Sequence, residues 1–260
     1  MSTALLLAID SGNTAIKWGL HDGERWITLG RVLQNERQVL QQVWHTLPLP
    51  ESVIIANVAG KQAADDLTEL LKQWPVQPHW VTANNQQCGV INNYTEPTQL
   101  GSDRWAALIA AWYRLHAPCL VVDVGTAMTV DALSASGYFL GGIILPGPYL
   151  VQQSLIKHTD KLAQSQSVMG CYQDFPVNTN DALYSGTIQA LCGALQRMHH
   201  LLAFHSEQEK VPAAIEIIMT GGGAALLDQF VTAPHRIVEH LVLEGLVIIA
   251  QTSRLESNQK

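Results

Sequence analysis

The chain states one structural phrase twice, and that repetition constrains its fold more than any other feature. Near its start runs LLLAIDSGNTAIKWGL (Leu5 to Leu20), and later comes CLVVDVGTAMTVDAL (Cys119 to Leu133). Each is a short apolar strand that ends in Asp-x-Gly, followed by Thr and a second β-rich run. Asp10, Gly12 and Thr14 of the first copy answer Asp123, Gly125 and Thr126 of the second. A duplicated strand–turn–strand with an acid and a glycine at each tip predicts two similar lobes facing one shared ligand.

The chemistry of such a tip points to phosphate. Glycine lets backbone N–H groups approach an anion closely, and a strand end is a fixed platform for them. Asn13, Thr14 and Thr126 add short polar donors at the same tips. Asp10 and Asp123 repel phosphate, so they read as ligands, direct or through water, for a cation that neutralises it. A single Asp-x-Gly is commonly an ordinary turn with a solvated acid. Two of them at the ends of matched apolar strands carry more weight.

Composition narrows the class. The 260 residues are 47% hydrophobic and 14% charged, which suits a compact globular protein with a large buried core. A net charge of −7 with scattered Lys and Arg argues against a nucleic-acid partner, which calls for a basic stripe. The run Ala4 to Ile9 lacks a basic leader and passes straight into Asp10, so it does not read as an export signal. Leu241 to Ala250 is interrupted by Glu244 and is too short to cross a bilayer. Cys88, Cys119, Cys171 and Cys192 form no C-x-x-C pair and read as buried free thiols of a reducing cytosol. His199 and His200 have no third ligand at metal spacing and read as helix residues.

Organisation follows the duplication. After the first hairpin come a third strand near Trp26 to Val32, a helix from Glu36 to Leu47 and a strand from Ser52 to Val58. A helix from Ala63 to Trp74 has apolar Leu67, Leu70, Leu71 and Trp74 at helical spacing, and a short strand starts at His79. The second block opens at Pro118 with strand, turn and strand, then a strand from Tyr138 to Leu145. Next come a helix-prone segment near Leu150, a strand from Ile215 to Thr220 and a final helix from about Glu239 to Leu255. Three strands, helix, strand, helix, strand is the order of a ribonuclease H-like lobe. The expected fold is therefore α/β, two such lobes with a nucleotide cleft between them. The lobes are drawn at 1–116 and 117–260, with the last helix free to pack back on the first.

Other nucleotide grips are excluded. Gly60–Lys61 is followed by Gln62, so there is no P-loop, and neither Asp-x-Gly turn supplies G-x-G-x-x-G. Gly221 to Gly223 reads either as a close backbone approach to an adenosine or as a flexible strand–helix turn. A reactive group is expected at Gly101–Ser102–Asp103–Arg104, which opens the helical run WAALIAAWYRL. Ser102 is expected as the N-cap, with Asp103 and Arg104 in the first turn. An acid there complements the helix dipole, whereas a cation does not, so Arg104 calls for an anionic partner such as a substrate carboxylate.

These residues carry a resemblance to the type III pantothenate kinases, of the superfamily of actin, sugar kinases and heat-shock chaperone ATPases. It rests on DSGNTAIK (Asp10 to Lys17), GSDR (Gly101 to Arg104), DVGTA (Asp123 to Ala127) and GGIILPG (Gly141 to Gly147). NTNDA with a downstream Ser-Gly (Asn178 to Gly186) and TGG (Thr220 to Gly222) extend it over nearly the whole chain. The resemblance implies transfer of the γ-phosphoryl of ATP to the primary hydroxyl of pantothenate, the first step toward coenzyme A. It implies Asp103 as proton acceptor. Tyr94, Gly101, Ser102, Asp103, Arg104 and Thr179 would line the pantothenate site, with Arg104 on the carboxylate. Asp10, Ser11, Gly12, Asn13, Thr14, Ala15, Ile16 and Lys17 would cradle the ATP phosphates, with Thr126 contacting them from the other lobe. Asp123 would hold a monovalent cation, K+ or NH4+, and Asp10 would serve Mg2+ bound with ATP. A cytoplasmic homodimer, with the pocket completed by the neighbouring subunit, is implied as well.

The chain departs from the family pattern at three places. Thr159-Asp160-Lys161-Leu162-Ala163 stands where Thr-Ala-x-Leu-Pro is usual, Gly223 stands where an acid commonly follows Thr-Gly-Gly, and Asn57 replaces a more usual serine. Two other functions suit the same fold: a kinase or phosphatase for another small substrate, and a non-catalytic regulatory relative acting through a protein partner. The GSDR helix start and Tyr94 favour pantothenate over the first. Asp10, Asp103, Arg104 and Asp123 favour catalysis over the second.

Overall fold

The computed structural model describes residues 4–157, 170–210 and 214–257, so Thr159 to Ala163 lies outside the described residues. It divides into two compact units, Met1–Arg114 with His240–Lys260, and Leu115–Glu239. The last helix, drawn with the second lobe from sequence, thus groups with the first unit.

The first unit contains β1 (Leu6–Ser11), β2 (Ala15–His21), β3 (Trp26–Leu33), α1 (Val39–His45), β4 (Ser52–Asn57), α2 (Lys61–Leu71) and β5 (Pro78–Trp80). A small hairpin, β6 (Gln86–Gln87) and β7 (Val90–Asn92), precedes α3 (Ser102–Leu115). The sheet order is β3-β2-β1-β4-β5, with β1 antiparallel to β2 and parallel to β4. β1 is the central strand and every residue of it is buried, which is why it reads as an unbroken apolar run. Leu7, Ile9, Trp18, Val53 and Ile55 pack with Leu40 and Trp44 of α1 and with Leu67 and Leu71 of α2. Each such aliphatic side chain contributes about 1.5–3 kcal/mol by leaving water.

The second unit contains β8 (Cys119–Val124), β9 (Ala127–Leu133), β10 (Tyr138–Pro146), α4 (Pro148–Lys157), α5 (Thr179–Gln208), β11 (Glu216–Thr220), α6 (Ala224–Asp228) and β12 (His235–Ile237). Its strands lie in the order β12-β11-β8-β9-β10, with β8 antiparallel to β9 and parallel to β11. Counted from the first strand of each unit, that is the order of the first unit, strand for strand. The duplication read from two Asp-x-Gly tips is a duplication of the ribonuclease H-like sheet.

Helices differ more from expectation. α5 is 30 residues long, starts from Asn178, whose side chain accepts from the Asp181 N–H at 3.0 Å, and buries Ile188, Leu191, Leu195 and Leu202 at helical spacing. His199 lies on α5 and its Nε2 sits 3.3 Å from the Ile215 carbonyl, a packing role. The four cysteines are free, but only Cys119 is fully buried, and Cys171 is exposed. Burial pushes the Cys119 thiol up to about 12.

The C-terminal helix α7 (Leu241–Ser257) packs on β1, β2 and β4. Gly245 sets its approach to α3, because a Cβ there would stand 1.9 Å from the Ala106 carbonyl oxygen. A forked pair from Arg114 to Glu244, at 2.8 and 2.7 Å, fastens the same two helices. No described helix is long and apolar enough to cross a membrane.

Candidate active site

The first tip is a tight hairpin. The Gly12 N–H donates to the Ala15 carbonyl at 3.1 Å, leaving Asn13 and Thr14 exposed between them. Asp10, 7% exposed, faces Lys17 across the ladder, and the Lys17 Nζ lies 4.0 Å from its Oδ2. The tip is braced from two sides. The Val58 N–H donates to the Ser11 carbonyl at 3.0 Å, and Gln34 donates from its side chain to the Gly12 carbonyl at 2.7 Å and to Ser11 Oγ at 3.1 Å.

The GSDR segment is fastened beside that tip. Ser102 does not cap its helix, contrary to the sequence expectation. Its hydroxyl accepts from the Asn57 N–H at 3.0 Å, and the first helical bond, Trp105 N–H to Gly101 carbonyl at 2.9 Å, makes Gly101 the residue before the helix. The serine thereby ties α3 to the end of β4. Asn57, the departure from the family's serine, closes the turn after β4 by donating to the Gly60 carbonyl at 3.0 Å.

Gly101 has a specific reason to be glycine. The Asp103 carboxylate folds back so that its Oδ1 accepts from the Arg104 N–H at 2.8 Å, and a Cβ on Gly101 would stand 2.5 Å from that oxygen. Arg104, 9% exposed, donates from Nη1 to the Tyr94 hydroxyl at 3.2 Å and lies over the Tyr94 ring. Tyr94 is carried by a loop that Asn92 shapes, accepting from the Tyr94 N–H at 3.0 Å and donating to the Pro97 carbonyl at 3.2 Å. Asp103, Arg104 and Tyr94 therefore share one surface of the first unit.

Burial lifts the Asp103 carboxyl above the ordinary carboxylate range, partly offset by the Arg104 N–H bond and by the charges of Arg104 and Lys17. In its ionised form such a group is a stronger proton acceptor than a solvated aspartate. Lys17 acts on both Asp10 and Asp103, which links the first tip to Asp103 within one unit.

The second tip is built on the same plan with different parts. The Gly125 N–H donates to the Ala127 carbonyl at 3.0 Å, one residue tighter than the first tip, and Thr126 is exposed at its apex. Asp123 pairs in register with Thr129 rather than with a lysine. Glycines crowd it from below. A Cβ on Gly147 would stand 2.1 Å from the Gly125 carbonyl oxygen, and one on Gly221, at φ +90°, would stand 2.3 Å from Asp123 Oδ1. The Gly221–Gly223 run meets this tip of its own chain, with the Gly223 N–H donating to the Val124 carbonyl at 2.8 Å. Thr179, the first residue of α5, is an exposed residue of the second unit.

Among the described residues no group of three or more His, Cys, Asp or Glu could hold a metal. The sequence reading missed Gln34 and Asn92. Neither belongs to a motif that would mark it, since both act through backbone carbonyls and amides.

The family model described as type III pantothenate kinase matches residues 6–201 of this chain. A type III pantothenate kinase of Nitrosomonas eutropha is 62% identical over 259 residues, covering 99% of each chain. One from Nitrosospira multiformis is 48% identical over 247 residues, 95% of this chain and 91% of its own. Among solved structures, MreB5 of Spiroplasma citri bound to ADP superposes with a TM-score of 0.56 at 10% identity, covering 100% of both chains. At that identity the likeness speaks for the fold alone, the actin-like ATPase fold.

Proposed function

The chain belongs to the type III pantothenate kinases, enzymes that phosphorylate pantothenate on the way to coenzyme A, and from that premise we propose how its residues divide the reaction. As a kinase of this family it uses ATP with a divalent metal. The observation that carries the assignment is the grouping of Asp10, Lys17, Asp103 and Arg104 in one unit, with Lys17 acting on both acids.

Asp103 is the proton acceptor for the primary hydroxyl. As the hydroxyl oxygen bonds to the γ-phosphorus, its proton passes to the Asp103 carboxylate and ADP departs with the electrons of the broken P–O bond. A loose phosphoryl-transfer transition state needs positioning and charge neutralisation more than covalent help. Gly101 to Arg104 grip pantothenate. The Arg104 guanidinium, held by the Tyr94 hydroxyl, is shaped for its carboxylate. Tyr94 and Thr179 are the further pantothenate contacts that the family pattern assigns. Asp10 through Lys17 cradle the ATP phosphates, and Thr126 contacts them as well. Asp10 would hold the divalent ion that accompanies the nucleotide, which would neutralise phosphate charge, and Asp123 would hold a monovalent cation, K+ or NH4+.

We read the enzyme as a cytoplasmic homodimer. The 91% exposed Phe175 and 97% exposed Val177, close in sequence to Thr179, support a second copy covering that segment. A coupled ADP-release assay, with and without pantothenate, in potassium and then in sodium buffer, tests the whole reading. Turnover that requires pantothenate and is higher in potassium is expected. Turnover only with another alcohol, or none under any condition, would overturn it.

A further inference from the structure

We propose that Gln34 is a positioning residue for the ATP phosphates, a side-chain clamp that sets the direction of the backbone donors in the first tip. The inference rests on the reading that Asp10 to Lys17 cradles ATP. Gln34 follows β3 directly and makes three bonds to a tip only a few residues long. Its Nε2 donates to the Gly12 carbonyl at 2.7 Å and to Ser11 Oγ at 3.1 Å, and its own N–H donates to the Thr14 carbonyl at 2.9 Å. The amide orientation is dictated by chemistry, because the Gly12 carbonyl can only accept.

The consequence for phosphate follows from peptide geometry. The Gly12–Asn13 peptide bond is trans, so the Gly12 carbonyl and the Asn13 N–H point in opposite directions across one plane. Holding that carbonyl against Gln34 turns the Asn13 N–H away from the clamp, on an exposed residue where an anion can meet it. Left unheld, the peptide of a glycine can rotate cheaply, and a carbonyl oxygen turned outward would repel phosphate.

The clamp is itself held. Arg37 donates from Nη1 to the Gln34 carbonyl at 3.0 Å, and its other terminal nitrogen pairs with Asp66 of α2. Asp66 in turn accepts from Gln62 at 3.0 Å. A line of polar contacts therefore runs from α2 to the tip. At the second tip the residue after the third strand is Gly147, whose N–H donates to the Thr126 carbonyl at 2.9 Å.

The test measures the Kd for ATP, the KM for pantothenate and the melting temperature of the full-length enzyme and its Gln34→Met, Gln34→Glu and Lys17→Met variants. Methionine keeps the length of glutamine and removes both donors, while glutamate sets a negative charge against the Gly12 carbonyl. Gln34→Met is expected to weaken ATP about 10-fold, from the loss of two hydrogen bonds, with Gln34→Glu weaker still. The KM for pantothenate should stay within about 2-fold, a difference that 0.4 kcal/mol would produce. If Lys17→Met weakens ATP and Gln34→Met does not, the clamp is refuted and the cradle stands. If neither weakens ATP, the cradle reading fails and the clamp with it. Equal loss for both substrates together with a lowered melting temperature would make Gln34 merely structural and also refute the proposal. Should Gln34→Met not fold, Arg37→Met decides: weaker ATP binding alone supports the clamp, and unchanged ATP binding refutes it.

Discussion

The two strand tips share a sheet order and an aspartate at the same register, yet they solve the same packing problem in opposite ways. The first is held by side chains: Gln34 on the Gly12 carbonyl and the Ser11 hydroxyl, and Lys17 opposite Asp10. The second is held by the absence of side chains, with Gly147 and Gly221 pressed against its backbone and its acid, and Thr129 opposite Asp123. A duplicated sheet can keep its hydrogen-bond frame while its tips diverge, because the frame is set by buried strands and the tip only by what lies beneath it. A lysine and outward N–H groups favour phosphate, and the proposed cation role of Asp123 is a separate assignment that the tests below address.

The sharpest way to break this division is at the base, which belongs with the first tip. Asp103→Asn is expected to cut kcat by about 10²–10⁴-fold while calorimetry still detects ATP and pantothenate binding. A variant that keeps wild-type kcat would remove Asp103 from the chemistry.

Next in size are the glycines. Gly221→Ala combines a positive φ with a clash on Asp123, and Gly147→Ala a clash on the Gly125 carbonyl, so each should cost about 2–4 kcal/mol in urea unfolding. Gly12→Ala is the control. Its Cβ would lie an ordinary 3.4 Å from the Ala15 oxygen, and its cost should be within about 1 kcal/mol. Equal costs at all three positions would erase the contrast between a side-chain-held and a glycine-held tip.

Lys17→Met should weaken ATP by about 10-fold, the loss of one charge-assisted contact. Because Lys17 pulls the Asp103 carboxyl down, its removal should also move the acidic limb of the kcat/KM profile to higher pH. An unmoved limb would separate Lys17 from the base.

The smallest effect is on stability. A carboxyl raised by folding stabilises the protein most when protonated, below its unfolded value, and that contribution is lost as pH rises through the folded value. The ionised form of Asp103 is thus a cost to folding. Asp103→Asn should unfold at slightly higher urea than wild type at pH 7, and the difference should shrink as pH falls toward the ordinary carboxylate range. A neutral-pH loss of stability would contradict the burial argument.

The sheet was legible because β1 and β8 are central strands whose apolar runs end abruptly in an acid, a pattern that backbone pairing imposes directly. The placement of Asp103 and Arg104 in a first helical turn was legible from the apolar helical run that follows them. Ser102 was misread as a cap, since a serine hydroxyl serves a helix end or a neighbouring strand equally well, and only the tertiary position of Asn57 decides between them. Gln34 gave no signal at all. It works through carbonyl oxygens, which every residue has, so no residue pattern marks its target. The extent of α5 was hidden because its buried positions are widely spaced along a helix with many exposed faces.

The division of labour between the tips is tested most directly by titrating potassium against turnover in wild type, Asp10→Asn and Asp123→Asn. Asp123→Asn should lose most of the potassium activation, while Asp10→Asn should keep the wild-type half-saturation for potassium and instead weaken the ATP–metal complex. Loss of potassium activation in Asp10→Asn with none in Asp123→Asn would contradict the account.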